Sequence, residues 1–104
     1  KVLKEFIMGI INTMRWIRLT NKARAYQVKH EYQKSIDVCN KALALNPRIS
    51  EAYRLIGNAY EFMSDNEAEK GNKEQSEKFK SLATENWDSA KGINPNIIIP
   101  YYHD

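Results

Sequence analysis

Apolar side chains recur along this chain at steps of three and four residues. Leu19, Ala23 and Tyr26 form one set; Tyr32, Ile36, Cys39, Ala42, Leu43 and Leu45 form a second. Ala52, Tyr53, Ile56, Ala59, Tyr60 and Met63 form a third, and Phe79, Leu82, Ala83, Trp87 and Ala90 a fourth. That period belongs to amphipathic helices with one buried face, and no strand-like alternation persists anywhere. The predicted fold class is therefore all-α. A further run, Leu3, Ile7, Ile10, Met14 and Ile17, precedes the first set at steps of four and three.

The interruptions between these sets resemble one another. "MGIINT" from Met8, "ALALNP" from Ala42 and "AKGINP" from Ala90 each place a small or flexible residue, then Ile or Leu, then Asn, then Pro or Thr. Asn tolerates the turn conformations that end a helix, and Pro cannot continue one. Asn12 and Asn46 stand 34 residues apart; Asn46 and Asn94 stand 48 apart, which is 34 plus 14. A fixed spacing of corners implies equal helix-turn-helix units that stack and bury their apolar stripes on one another.

The corners divide the chain as follows. Residues 1–13 read as the end of a preceding unit or an N-terminal helix, either continuing through Asn12-Thr13 or turning there. Residues 14–47 form one repeat, and residues 48–95 a repeat with a 14-residue insertion. Residues 96–104 form a tail, either a strap over the last hydrophobic edge or the start of a further helix with Pro100 in its first turn. The inserted length is nearly four helical turns, so it lengthens helices without rotating their faces. "GNKEQSEKF" from Gly71 looks like a turn and an early second helix arriving seven residues late. That predicts helices over about 50–70 and 73–91, with the turn at Gly71 preferred over a rival at Ser64-Asp65, where "SDNE" forms a plausible capping box.

These residues resemble the tetratricopeptide repeat, a 34-residue unit with a W-x2-L-G-x2-Y pattern and a late Pro. Tyr53, Ile56, Gly57 and Tyr60 stand at those spacings, and Tyr32, Ile36, Ala42, Leu43, Leu45 and Pro47 fit the second half of a unit. In the first repeat Lys22 takes the usual Leu position and His30 the usual turn Gly. The resemblance covers about residues 14–95. It implies antiparallel helix-turn-helix repeats stacked as a short right-handed solenoid, with Gly57 at a close helix crossing. It also implies a groove, lined by the first helix of each unit, that holds a peptide or a partner helix. Carried onto matching positions, that groove contains Thr20, Arg24, Gln27, Glu51, Arg54, Asn58, Glu61 and Phe62. Arg, Asn and Gln side chains pair with peptide backbone and carboxylates. Arg54 and Asn58 look like half of a carboxylate clamp, but the neighbouring unit lacks the matching Lys, Asn and Arg.

Composition narrows the function. At 104 residues, 42% hydrophobic and 28% charged, the chain reads as one small globular domain or a piece of a larger one. The single cysteine, Cys39, falls on a core step and reads as a buried thiol in a reducing compartment, which suggests a cytoplasmic protein. No run is long enough to span a bilayer. His30 and His103 have no partner at a metal-ligand spacing, and no phosphate loop or hydrolase motif is present. Asp65, Glu67 and Glu69 alternate as the first ligands of a calcium loop do, yet Lys70 and Ser76 stand where Gly and Glu are needed. No catalytic residue, metal or cofactor is expected. Phe62 and Trp16 fall off the clear core steps and are the aromatics expected to be open for contact.

The net charge of +3 is unevenly spread. Residues 1–30 carry seven cations against Glu5 alone, a net +6, which leaves −3 for the remainder. Arg15, Arg18, Lys22 and Lys29 share one helical face. The first expectation is thus a non-enzymatic protein-interaction scaffold, with self-association through its exposed repeat ends. The second is a helical-repeat binder of RNA or of an anionic membrane surface through the basic N-terminal third.

Overall fold

The computed structural model describes residues 1–100 and Tyr102. It contains four helices, α1 (Val2–Val28), α2 (Tyr32–Leu45), α3 (Ser50–Glu69) and α4 (Lys73–Ile93), and the described residues include no strand. The all-α class follows directly. The helices form two antiparallel hairpins, α1 with α2 and α3 with α4; α2 packs on α3, and α1 touches α3 over a short stretch. The whole is elongated, 57 × 27 × 19 Å.

Both hairpins close with the same three-residue device. His30, at φ 61°, and Gly71, at φ 83°, take the left-handed conformation that reverses the chain. Gly adopts it freely, while His does so at a cost. The ring of His30 lies against the edge of Tyr32, with Nδ1 2.7 Å from the phenolic oxygen. Beyond each turn a serine ties the two helices together. Ser35 Oγ donates to the Ala23 carbonyl at 2.9 Å, and Ser76 Oγ donates to the Ser64 carbonyl at 2.9 Å. The members of these pairs are offset by 41 residues, which is 34 plus 7. The preferred turn at Gly71 is thus the observed one, and the region around Ser64-Asp65 is continuous helix.

The two Asn-Pro corners also match. Asn46 and Asn94 end α2 and α4 in extended conformations, where the following proline pushes them. Each accepts a hydrogen bond on Oδ1 from the backbone two residues on, Arg48 N at 3.0 Å and Asn96 N at 3.1 Å. The "MGIINT" stretch is different, for α1 runs straight through Asn12-Thr13. No proline removes a donor there, and Thr13 Oγ1 donates back to the Gly9 carbonyl at 2.9 Å, leaving the helical ladder intact. Residues 1–13 therefore continue the helix of the first hairpin. With 27 residues against the 14 of α2, α1 projects well past its partner.

The core has two parts. Ala23, Ile36, Val38, Cys39, Ala42, Ile49, Ala52, Leu55, Ile56 and Ala59 fill the space between α1, α2 and α3. Ala83, Trp87, Ala90 and Ile99 form the second cluster, with Tyr53, Tyr60, Ile97 and Tyr102 against it. Gly57 lies where α3 meets the Trp87 indole, and a β-carbon there would overlap Cδ1 and Nε1 of that ring. Beyond Asn94 the described tail is a strap: Ile99 is buried, Tyr102 meets the Trp87 ring edge-on at 6.2 Å, and its hydroxyl donates to Asp88 at 2.6 Å. The remainder of the expected tail helix, and His103, lie outside the described residues.

Candidate partner-binding face

The side of the molecule shared by α1 and α3 carries most of the residues expected to meet a partner. α3 begins beside Arg24 because the Asn46-Pro47 corner returns the chain at that level. There Glu51, one residue into α3, meets two arginines. Arg24 donates to Glu51 Oε2 from Nε at 3.0 Å and from Nη2 at 2.7 Å, crossing from α1. Arg54, one turn along α3, donates to both oxygens of the same carboxylate. Burial works to raise the Glu51 carboxyl, but the Arg54 and Arg24 hydrogen bonds outweigh it and hold the group below its ordinary range. Arg54 is raised in turn by its Glu51 hydrogen bonds. The carboxylate is shared, so two guanidinium groups divide one counter-charge and retain capacity for a second acidic group.

The other expected residues divide into open and committed positions. Thr20 is 4% exposed and donates its hydroxyl to the Trp16 carbonyl of its own helix at 2.7 Å. Asn58 is 7% exposed, and its Oδ1 accepts from Trp87 Nε1 at 3.1 Å. Thr20 presents no free hydroxyl to a partner, which corrects the expectation for it, whereas the Asn58 oxygen is committed to Trp87 and its amide nitrogen has no partner among the described residues. Gln27 is half-buried and donates from Nε2 to the Leu55 carbonyl and to Ser35 Oγ at 3.1 Å, so it joins α1, α2 and α3. Glu61 is half-exposed. Phe62 is half-buried and stacks on Tyr32 of α2, with centroids 5.3 Å apart. Trp16 also packs against the first core cluster, so neither aromatic is the free contact expected of it. What the face offers is Arg24, Glu51, Arg54, the amide nitrogen of Asn58 and Glu61.

The basic-face residues Arg15, Arg18, Lys22 and Lys29 are all exposed. Lys22 reaches over the Tyr26 ring at 5.9 Å. Arg15 and Arg18 line a cleft of about 370 Å³ together with Leu19 of α1 and Lys41 and Leu45 of α2. Lys41 was not expected here, because the basic face was drawn on one helix. The signal was present nonetheless: Arg15 and Leu45 stand equally far before and after the His30 turn, so an antiparallel hairpin brings them level.

Cys39 is fully buried, and burial, with Glu51 adding to it, pushes its thiol up to about 12. A thiol in that state is neither nucleophile nor ligand. Among the described residues no three His, Cys, Asp or Glu side chains stand close enough to hold a metal ion, and no helix is long and apolar enough to cross a membrane. Comparison with family models, with curated proteins and with solved structures finds no match to this chain.

Proposed function

We propose that this chain is a non-enzymatic interaction module built from tetratricopeptide-like repeats, which holds an extended acidic segment of a partner protein against the α1–α3 face. The observation that carries the reading is the Arg24–Glu51–Arg54 cluster, in which the first helices of two successive hairpins are joined by one carboxylate and two guanidinium groups. Its surroundings favour binding over chemistry. The polar groups nearby are held by one another, and the one thiol is sealed in the core. The repeated turns, serine ties and Asn-Pro corners support a repeat architecture, in which successive first helices lie side by side and present such a face. A partner carboxylate placed between the two arginines would gain charge-assisted hydrogen bonds.

Selection from a displayed peptide library tests this reading. Acidic peptides should be enriched by the parent chain and released by Arg24→Gln combined with Arg54→Gln, with circular dichroism showing the helices retained. The reading fails if the enriched peptides bind that variant as well as they bind the parent.

A further inference from the structure

Among the described residues, the exposed large apolar side chains concentrate in the N-terminal part of α1. Leu3 is 69% exposed, Phe6 65%, Ile7 47%, Ile10 46%, Met14 57% and Ile17 44%. At about 100° per residue these six fall within one arc of roughly 100° on the helix. Leu19 and Ala23, which pack toward α2, lie on the opposite side, so the hairpin turns this arc outward. Arg15, Arg18 and Lys22 border the arc on its next edge. Among the described residues Arg15, Arg18 and Lys41 enter no ion pair, although they gather around one cleft floored by Leu19 and Leu45.

Charge decides what covers this surface. A second copy would bring the same net +6 of residues 1–30 and only Glu5 to meet it. An anionic bilayer meets both halves at once, its acyl boundary taking apolar side chains and its phosphates taking cations. Among the described residues no helix is long and apolar enough to cross a membrane. An arm with six of its exposed apolar residues on one arc, cations along the next edge, and Val2, Met8 and Ile11 outside the arc suits lying in the interfacial plane instead. We propose that the projecting arm of α1 and the Arg15–Arg18–Lys41 cleft together form a docking surface for an anionic phospholipid bilayer. The apolar arc enters the headgroup–acyl boundary, and the three cations hold lipid phosphates at its edge. The α1–α3 face uses other residues, so this surface stands or falls apart from the peptide reading.

Co-sedimentation of the full chain with vesicles tests the proposal, comparing phosphatidylcholine alone with equal parts of phosphatidylcholine and phosphatidylserine. The chain should partition onto the mixed vesicles and not onto phosphatidylcholine, and added salt should release it. Each of Arg15→Gln, Arg18→Gln and Lys41→Gln should weaken partitioning about fivefold. Phe6→Ser with Ile10→Ser, both on exposed positions, should reduce it to background while the helical spectrum stays. The proposal is overturned if mixed vesicles do not retain the chain, or if retention ignores either set of variants. It is equally overturned if light scattering shows a dimer that Phe6→Ser/Ile10→Ser returns to monomer, since the arc is then a seam between copies. Single-stranded RNA bound through the three cations, with vesicles ignored, would overturn it in favour of nucleic acid.

Discussion

Gly57 is the position where a single added carbon should reveal how the two hairpins are packed. A β-carbon there would overlap Trp87 Cδ1 and Nε1 and stand 3.0 Å from Cε2. The indole has little room to retreat, being 2% exposed and held by Asn58. In Gly57→Ala, helix propensity favours the variant by about 1 kcal/mol. Overpacking opposes it by about 1–3 kcal/mol. If the ring is driven off Asn58, a lost hydrogen bond and a buried amide without a partner add about 1–3 kcal/mol more. The expected net loss is about 2 kcal/mol, or a fall of roughly 10 °C in Tm for a domain of this size. Gly9→Ala supplies the reference, because nothing lies within 4 Å of a β-carbon at that exposed helical position. It should gain about 0.5–1 kcal/mol. Urea unfolding followed by circular dichroism and tryptophan fluorescence reads both, and Trp87→Phe should reduce the penalty at Gly57 by giving the new methyl space. Gly57→Ala unfolding at the parent's urea midpoint or above it would refute the placement of the indole over Gly57.

Two further outcomes follow from the turn and the core. His30→Gly should stabilise the chain by up to about 1 kcal/mol, since the φ of 61° strains a side-chain-bearing residue and the contact with Tyr32 is exposed; thermal melts check this. Cys39 should resist Ellman's reagent at pH 8 until urea opens the core, because the folded thiol titrates only at about 12. The same shift makes stability fall with alkaline pH: the unfolded thiol ionises from about 8.5 while the folded one stays protonated, so the loss accumulates from there to the folded value. Cys39→Ala should flatten that slope in urea titrations between neutral and alkaline pH.

Much of the fold was legible because its signals are local. The turn at Gly71 is set by a glycine at φ 83°, and the corners by Asn-Pro dipeptides. Asn12-Thr13 left two courses open because the Asn stands there without the proline that stops a helix, and the helix runs on. The expected face was less legible, because its errors depend on tertiary partners. Asn58 has half of its amide taken by a partner, Trp87, that lies 29 residues away on a helix whose level depends on the insertion. Thr20 is polar but satisfies its hydroxyl within its own helix, which lets it occupy a buried site. Phe62 and Trp16 fall off the simple period because α2 and the first core cluster reach further along their helices than the unit pattern allows.

The two ends of the molecule are unequal, and that inequality links the packing to both proposals. On the repeat reading, each hairpin buries its apolar stripe against neighbours on both sides, and a terminal hairpin needs a cap. At the α4 end the cap is present: the strap lays Ile99 and Tyr102 over Trp87, and Lys91 Nζ reaches the Ile97 carbonyl at 3.3 Å while standing over the Tyr102 ring. At the α1 end no described segment plays that part. Apart from Val28 and Ile98, every large apolar residue that is markedly exposed among the described residues lies between Val2 and Ile17. Contiguous apolar surface of this kind marks a site of interaction. Its bordering cations face a bilayer beside an apolar arc, whereas the α1–α3 face sets two arginines around the one carboxylate of Glu51. One small domain thus carries two chemically different surfaces, and variants at Phe6 and Ile10 can disable one while leaving the hairpin core, and the Arg24–Glu51–Arg54 cluster, untouched.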